Sequence, residues 1–203
     1  MNLPNALTLS RIPLLFVIAG LLYMDQTWHW PATVALVVFV LAALTDWLDG
    51  YYARRMKLVS NFGKLMDALT DKILVVGVLV VLQCLDLIPA WGMLCLLLIL
   101  SREFLITGLR LVAASKGVVL AAERGGKVKT VFQLSAIILY LACPMVRNDW
   151  NHWFDARLDA FEHVIFVVAH VTYVLATVMA FVSGVGYLVK YGNLLFHDDT
   201  SAA

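Results

Sequence analysis

Four aspartates within 26 residues carry the strongest chemical pattern in the chain. Asp46 and Asp49 stand three residues apart, and Asp67 and Asp71 stand four apart. On helices, each spacing puts both carboxylates on one face. Two like charges ~4 Å apart at an effective dielectric near 20 repel by about 4 kcal/mol, so four converging carboxylates need a counter-charge. Two divalent cations would balance them charge for charge, and an oxygen-only donor set selects hard ions such as Mg²⁺ or Mn²⁺. Gly50 and Gly63 fit the same picture, since a missing Cβ lets a backbone or ligand come close. A blander account pairs the acids with Arg54, Arg55, Lys64 and Lys72 as helix-end charges. That account suits one aspartate better than two face-matched pairs. An ion or proton pathway is the other alternative, because carboxylates within a membrane often serve transport.

The elements that must position these acids are apolar. Of 203 residues, 62% are hydrophobic and only 14% charged, where a soluble domain would carry roughly a quarter charged. Mean hydropathy is +0.86. The apolar residues come in long blocks, which reads as lipid-facing surface. About 20 residues cross ~30 Å of hydrocarbon. By that measure the sequence predicts an all-α integral membrane protein with six spans: Leu7–Met24, Pro31–Tyr52, Phe62–Leu85, Pro89–Ala114, Val128–Met145 and His163–Val189. Pro31 and Pro89 are placed at helix starts and Pro144 at a helix end. The first apolar stretch reads as a retained helix, the membrane domain as residues 1–192, and 193–203 as a disordered tail.

Charge orients the plan. Gln26–Trp30 and Gln83–Ile88 lack Lys and Arg, and Val146–Glu162 has only Arg147 and Arg157. The other side holds Arg11, Arg54, Arg55, Lys57, Lys64, Lys116, Arg124, Lys127, Lys129 and Lys190. The positive-inside rule then puts both termini, with the 53–64 and 115–127 loops, in the cytoplasm. Trp28, Trp30, Trp91, Trp150 and Trp153 gather near the opposite interface. Residues 148–162 are expected to lie along that interface as a short amphipathic helix. Cys84, Cys95 and Cys143 are expected to be buried small hydrophobes without metal spacing. Nothing in the sequence points to nucleic acid.

A second set of charges lies beside the acids. Arg102 and Arg110 are about two turns apart on the fourth span, with Lys127 and Lys129 at the start of the fifth. Several cations next to a metal site indicate an anionic substrate; the alternative is that Glu103 pairs with one of them.

Here the sequence resembles a known family. The pattern D-x2-D-G-x2-A-R-x8-G-x3-D-x3-D is met by Asp46, Asp49, Gly50, Ala53, Arg54, Gly63, Asp67 and Asp71. It resembles the signature of the CDP-alcohol phosphotransferases, six-helix membrane enzymes that are usually dimers. The resemblance implies two metal ions on the CDP pyrophosphate, held by Asp46, Asp49 and Asp67 with help from Asp71. It makes Asp71 the base that takes the proton from the acceptor hydroxyl. Leu3-Pro4-Asn5-Ala6-Leu7-Thr8-Leu9-Ser10-Arg11, taken alone an ordinary helix start, is similar to the family's PN-x-LT-x-x-R opening. That likeness implies a CDP-lipid pocket from Asn5, Thr8, Asp46, Gly50, Arg54 and Ser60, with the Arg54 fork suited to phosphate.

The acceptor is read from two further segments. Ser101-Arg102-Glu103 with Ile106, Leu109 and Arg110, and Gly126-Lys127-Val128-Lys129-Thr130 with Gln133, resemble the branch of the family that uses sn-glycerol 3-phosphate. The implied reaction is phosphatidyl transfer from CDP-diacylglycerol to that acceptor at the cytoplasmic face of the inner membrane. Arg102, Arg110, Lys127 and Lys129 would hold the acceptor phosphate. One departure is Asp67-Ala68-Leu69-Thr70-Asp71, where many such enzymes have Asp-Pro and an Ala before the last Asp. Beyond Gln133 the likeness is hydrophobicity alone. Phosphatidylglycerol as acceptor, giving cardiolipin, is the nearest alternative; a metal-ion transporter or a silent membrane scaffold is the alternative from another class.

Overall fold

Apolar chain withdrawn from water must satisfy its own backbone hydrogen bonds, and helices do this segment by segment. The computed structural model describes residues 3–24, 30–56, 61–115, 124–151 and 158–192, with side chains at 10–24, 30–45, 70, 72–114, 126, 128–151 and 158–192. All the regular structure among the described residues is helical: α1 Leu3–Tyr23, α2 Pro31–Met56, α3 Asn61–Cys84, α4 Gly92–Ser115, α5 Arg124–Pro144, a π-helical segment Met145–Trp150, and α6 Asp159–Tyr191. Three stretches are long and apolar enough to cross a membrane: Gly92–Ala114, Val128–Trp150 and Asp159–Tyr191. Shorter apolar helices run over Ser10–Tyr23, Pro31–Thr45 and Lys72–Cys84. The outer surface is correspondingly apolar, with Phe16, Leu94, Phe104, Val131 and Val182 all exposed, as lipid-facing side chains would be. The expected tail, 193–203, lies outside the described residues.

α1 packs on both α2 and α3, α5 packs on α2 and α3, and α6 runs along α5 and α4. The core is filled by Ile18, Phe39, Val78, Leu79, Leu82, Ile137, Tyr140 and Tyr173. Small residues set the closest approaches. Ala169, Ala176, Ala180 and Gly184 are buried along one stripe of α6, letting backbones come together where lipid supplies no hydrophobic drive. At Gly77 on α3 an added Cβ would stand 2.4 Å from the Leu15 Cδ2 of α1, so glycine is required there.

Several sequence boundaries move. α2 continues to Met56 and α3 starts at Asn61, so the expected 53–64 loop contracts to residues 57–60. α4 starts at Gly92 instead of Pro89. Gly92 N donates to Pro89 O at 2.8 Å and Met93 N to Ala90 O at 3.2 Å, a tight lead-in turn. Pro144 does not end the fifth helix. Lacking an N–H, a proline breaks the i→i−4 ladder, and here the chain widens into a π turn instead of stopping. The Asn151 N–H closes that turn on Val146 O. The expected interfacial helix over 148–162 is therefore not formed: 148–151 prolong α5, and α6 begins at Asp159. Of the cysteines only Cys143 is buried; Cys84 is exposed and Cys95 intermediate, and all three are free thiols.

The π segment delivers Asp149, 3% exposed, to the start of α2. Val34 N donates to Trp30 O, which makes Trp30 the N-cap and Thr33 the third helical residue. Asp149 Oδ2 accepts from Thr33 N at 2.7 Å and from Thr33 Oγ1 at 2.6 Å. A carboxylate from another helix thus fills the cap position, where the helix dipole favours it.

Candidate active site

Chemistry-bearing residues collect at one end of the bundle. The end of α2 carries Asp46, Asp49, Gly50 and Arg54, and the start of α3 carries Gly63, Asp67 and Asp71. Both helices are continuous there, so the i, i+3 and i, i+4 pairs each occupy one face. Four residues separate the two helices, and α1 and α5 pack on both. Asn5 and Thr8 lie in the first turns of α1. The side chains of these residues, and of Lys127, lie outside the described set, as does Ser60 altogether. Among the described residues no group of three acids, histidines or cysteines is placed to hold a metal. The aspartate quartet, two oxygen donors per helix, has the donor chemistry a hard divalent ion requires.

Beside the quartet, the described side chains form a polar cluster linking α3, α4, α5 and α6. Lys72, the residue after Asp71, donates from Nζ to Thr107 Oγ1 at 2.7 Å. Glu103 Oε1 accepts from Arg102 Nη1 at 2.8 Å and also from Lys129 Nζ. Lys129 is 4% exposed and Gln133 3%. Glu103 therefore pairs with both neighbours at once. Lys72, Arg102 and Lys129 outnumber it three to one, so these four side chains carry net positive charge in a site screened from water. Arg102 keeps capacity to spare, because its Nε is buried with no hydrogen-bond partner among the described residues. Arg110, more exposed, donates from Nε to the Tyr187 hydroxyl at 3.2 Å, with its guanidinium carbon 5.5 Å from that ring's centre.

The structure thus brings Arg102 and Lys129 together through Glu103 and sets Arg110 apart, against α6. It adds residues that sequence reasoning passed over: Lys72 and Thr107, and Ser183, Gly184 and Tyr187 on α6. Arg102 Nη2 donates to Ser183 Oγ at 3.1 Å, and a Cβ at Gly184 would stand 2.9 Å from Arg102 Cγ. The available signal was the run of small and hydroxyl-bearing residues on one stripe of a helix otherwise rich in valine.

Six packed helices with an acid quartet and a cationic cluster at one end define a membrane phosphotransfer site, and comparison gives its class. A family model described as CDP-alcohol phosphatidyltransferase matches residues 1–189, and the chain belongs to that family. It is a membrane transferase of a metal-dependent group. Among its relatives, the CDP-diacylglycerol–glycerol-3-phosphate 3-phosphatidyltransferase of Bacillus subtilis is 43% identical over 146 residues, covering 67% of this chain and 74% of that protein. The enzyme of that name from Rickettsia typhi is 40% identical over 143 residues, covering 69% and 76%. A chloroplastic/mitochondrial form from Arabidopsis thaliana is 36% identical over 161 residues, covering 74% of this chain and 54% of that protein.

Proposed function

We propose that this chain transfers the phosphatidyl group of CDP-diacylglycerol to sn-glycerol 3-phosphate, giving phosphatidylglycerophosphate and CMP. The observation that carries the reading is the aspartate quartet on α2 and α3 standing one residue from a cation-rich cluster, in a chain whose relatives bear that enzyme's name.

Asp46, Asp49, Asp67 and Asp71 would hold two Mg²⁺ ions, with Mn²⁺ as the substitute. Bound there, the metal neutralises charge on the pyrophosphate and the departing CMP. Asn5, Thr8, Gly50, Arg54 and Ser60 bind and orient the CDP end of the donor, while its acyl chains stay in lipid. Arg102, Arg110, Lys127 and Lys129 hold the acceptor's phosphate. Asp71 accepts the proton of the acceptor's hydroxyl as its oxygen bonds to the phosphatidyl phosphorus. The bond from that phosphorus to the CMP oxygen breaks in the same displacement, without a covalent enzyme intermediate. The enzyme works as a homodimer in the inner membrane, crossing it six times, with both termini and the site in the cytoplasm.

Purified protein supplied with CDP-diacylglycerol, Mg²⁺ and labelled glycerol 3-phosphate tests the reading. CMP release with label entering lipid is expected. No release removes it, and release that requires phosphatidylglycerol instead reassigns the chain to cardiolipin synthesis.

A further inference from the structure

Resting on that acceptor reading, we propose that Ser183, Gly184 and Tyr187 of α6 are positioning residues that set the affinity for the phosphate-bearing acceptor. The sequence beyond Gln133 carries no recognisable motif, yet α6 touches both arginines of the cationic site. Ser183 Oγ accepts from Arg102 Nη2 at 3.1 Å and itself donates to Ala180 O at 3.2 Å. The hydroxyl is thereby fixed as an acceptor toward the guanidinium. Gly184 lets the stem of Arg102 lie flat on the helix, since a Cβ there would approach Cγ to 2.9 Å. On the other side a Cβ at Gly126 would meet Arg102 Nη2 at 3.6 Å, so α5 and α6 together enclose the group.

Tyr187 plays the matching part for Arg110. It is buried with Ile106 and Leu109 of α4, and its ring lies 4.7 Å from that of Tyr191. A ring so wedged offers its hydroxyl to Arg110 Nε at a fixed point, 3.2 Å away. Arginine is a long, rotamer-rich side chain, and holding it in one geometry before the ligand arrives removes an ordering cost from binding. Residues 183 and 187 are one helical turn apart and so lie on one side of α6. Glu103 and Lys129 complete the frame around Arg102 from α4 and α5, which leaves its Nε–H as a donor for an incoming anion. The role is one of placement: none of the three α6 residues contributes charge.

The test is steady-state CMP release with each substrate varied in turn. Tyr187→Phe keeps the ring and deletes the oxygen; the expected result is a KM for glycerol 3-phosphate raised about fivefold, from one lost hydrogen bond. The KM for CDP-diacylglycerol should stay within about twofold of wild type, a change too small to represent such a bond. Ser183→Ala should raise the acceptor KM similarly and Ser183→Thr restore it, a rescue that a packing role would not show. Gly184→Ala should raise it further by displacing Arg102. If that variant fails to fold, the Tyr187 and Ser183 substitutions decide alone. An acceptor KM unmoved by Tyr187→Phe and Ser183→Ala, or a donor KM moving equally, overturns the inference while the proposed reaction stands. Wild-type protein releasing no CMP with glycerol 3-phosphate overturns both.

Discussion

Asp149→Ala isolates a single contact whose energy can be worked out. The carboxylate is buried and serves two donors of one residue, Thr33 N at 2.7 Å and Thr33 Oγ1 at 2.6 Å. Deleting it strands the backbone amide, a charge-assisted bond of about 1.5–3 kcal/mol, and the hydroxyl, about 1 kcal/mol. The N-terminal dipole of α2 loses its anion, a further ~0.5 kcal/mol. Because water reaches the end of a helix at the interface and recovers part of this, the net loss is about 3 kcal/mol. For a chain of this size about 2–4 °C of Tm goes with each kcal/mol, so melting should fall by roughly 6–12 °C. Thermal unfolding of the purified protein in one detergent, followed by helical circular dichroism, measures it. Asp149→Asn keeps an acceptor oxygen and should lose about half as much. In a Thr33→Val background Asp149→Ala should cost about 1 kcal/mol less, since the hydroxyl is already gone. A Tm for Asp149→Ala within about 2 °C of wild type would refute the reasoning.

Asp71→Asn should abolish CMP release while metal and CDP binding persist, checked by isothermal titration; equal turnover would contradict its assignment as base. Removing divalent ions with a chelator should stop the reaction and added Mg²⁺ restore it, whereas full activity in the stripped protein would disprove a metal role for the quartet. Gly77→Val should overpack α1 against α3, at about 1–3 kcal/mol of stability read as Tm, because Leu15 Cδ2 lies 2.4 Å from the new Cβ position. Glu103→Gln strips Arg102 and Lys129 of their shared carboxylate. It should cost about 3 kcal/mol, and an unchanged melting curve would show that the pair contributes nothing.

What was legible in the sequence was local. The positions of Asp46, Asp49, Asp67 and Asp71 on two helices followed from i, i+3 and i, i+4 spacing in apolar surroundings, and Pro31 marked the start of α2 correctly. Pro144 misled, because a proline removes one hydrogen bond without dictating whether the chain stops or widens into a π turn. That ambiguity hid Asp149, whose partner Thr33 is 116 residues away. The cations at 102 and 129 were visible as charges in apolar sequence, but their convergence on Glu103 depends on how α4 and α5 pack. Ser183, Gly184 and Tyr187 were the least legible: their part depends on what stands opposite them, and sequence spacing within α6 does not encode that.

The length of α6 has a consequence for how the two substrates meet. Its 33 residues span roughly 50 Å, against about 30 Å of hydrocarbon. Fitting that rod wholly inside by tilting would take an angle above 50°, beyond the ~0–40° that membrane helices adopt. Its final turns, with Tyr187 and Lys190, therefore stand among the headgroups. On the proposed reaction, a lipid confined to two dimensions and a small anion dissolved in three reach the same spot from perpendicular directions. Turnover would then follow the surface density of one and the bulk concentration of the other. A bilayer enriched in negative lipid would thin out the soluble anion at its surface, so the membrane's own charge becomes a brake on making more of it.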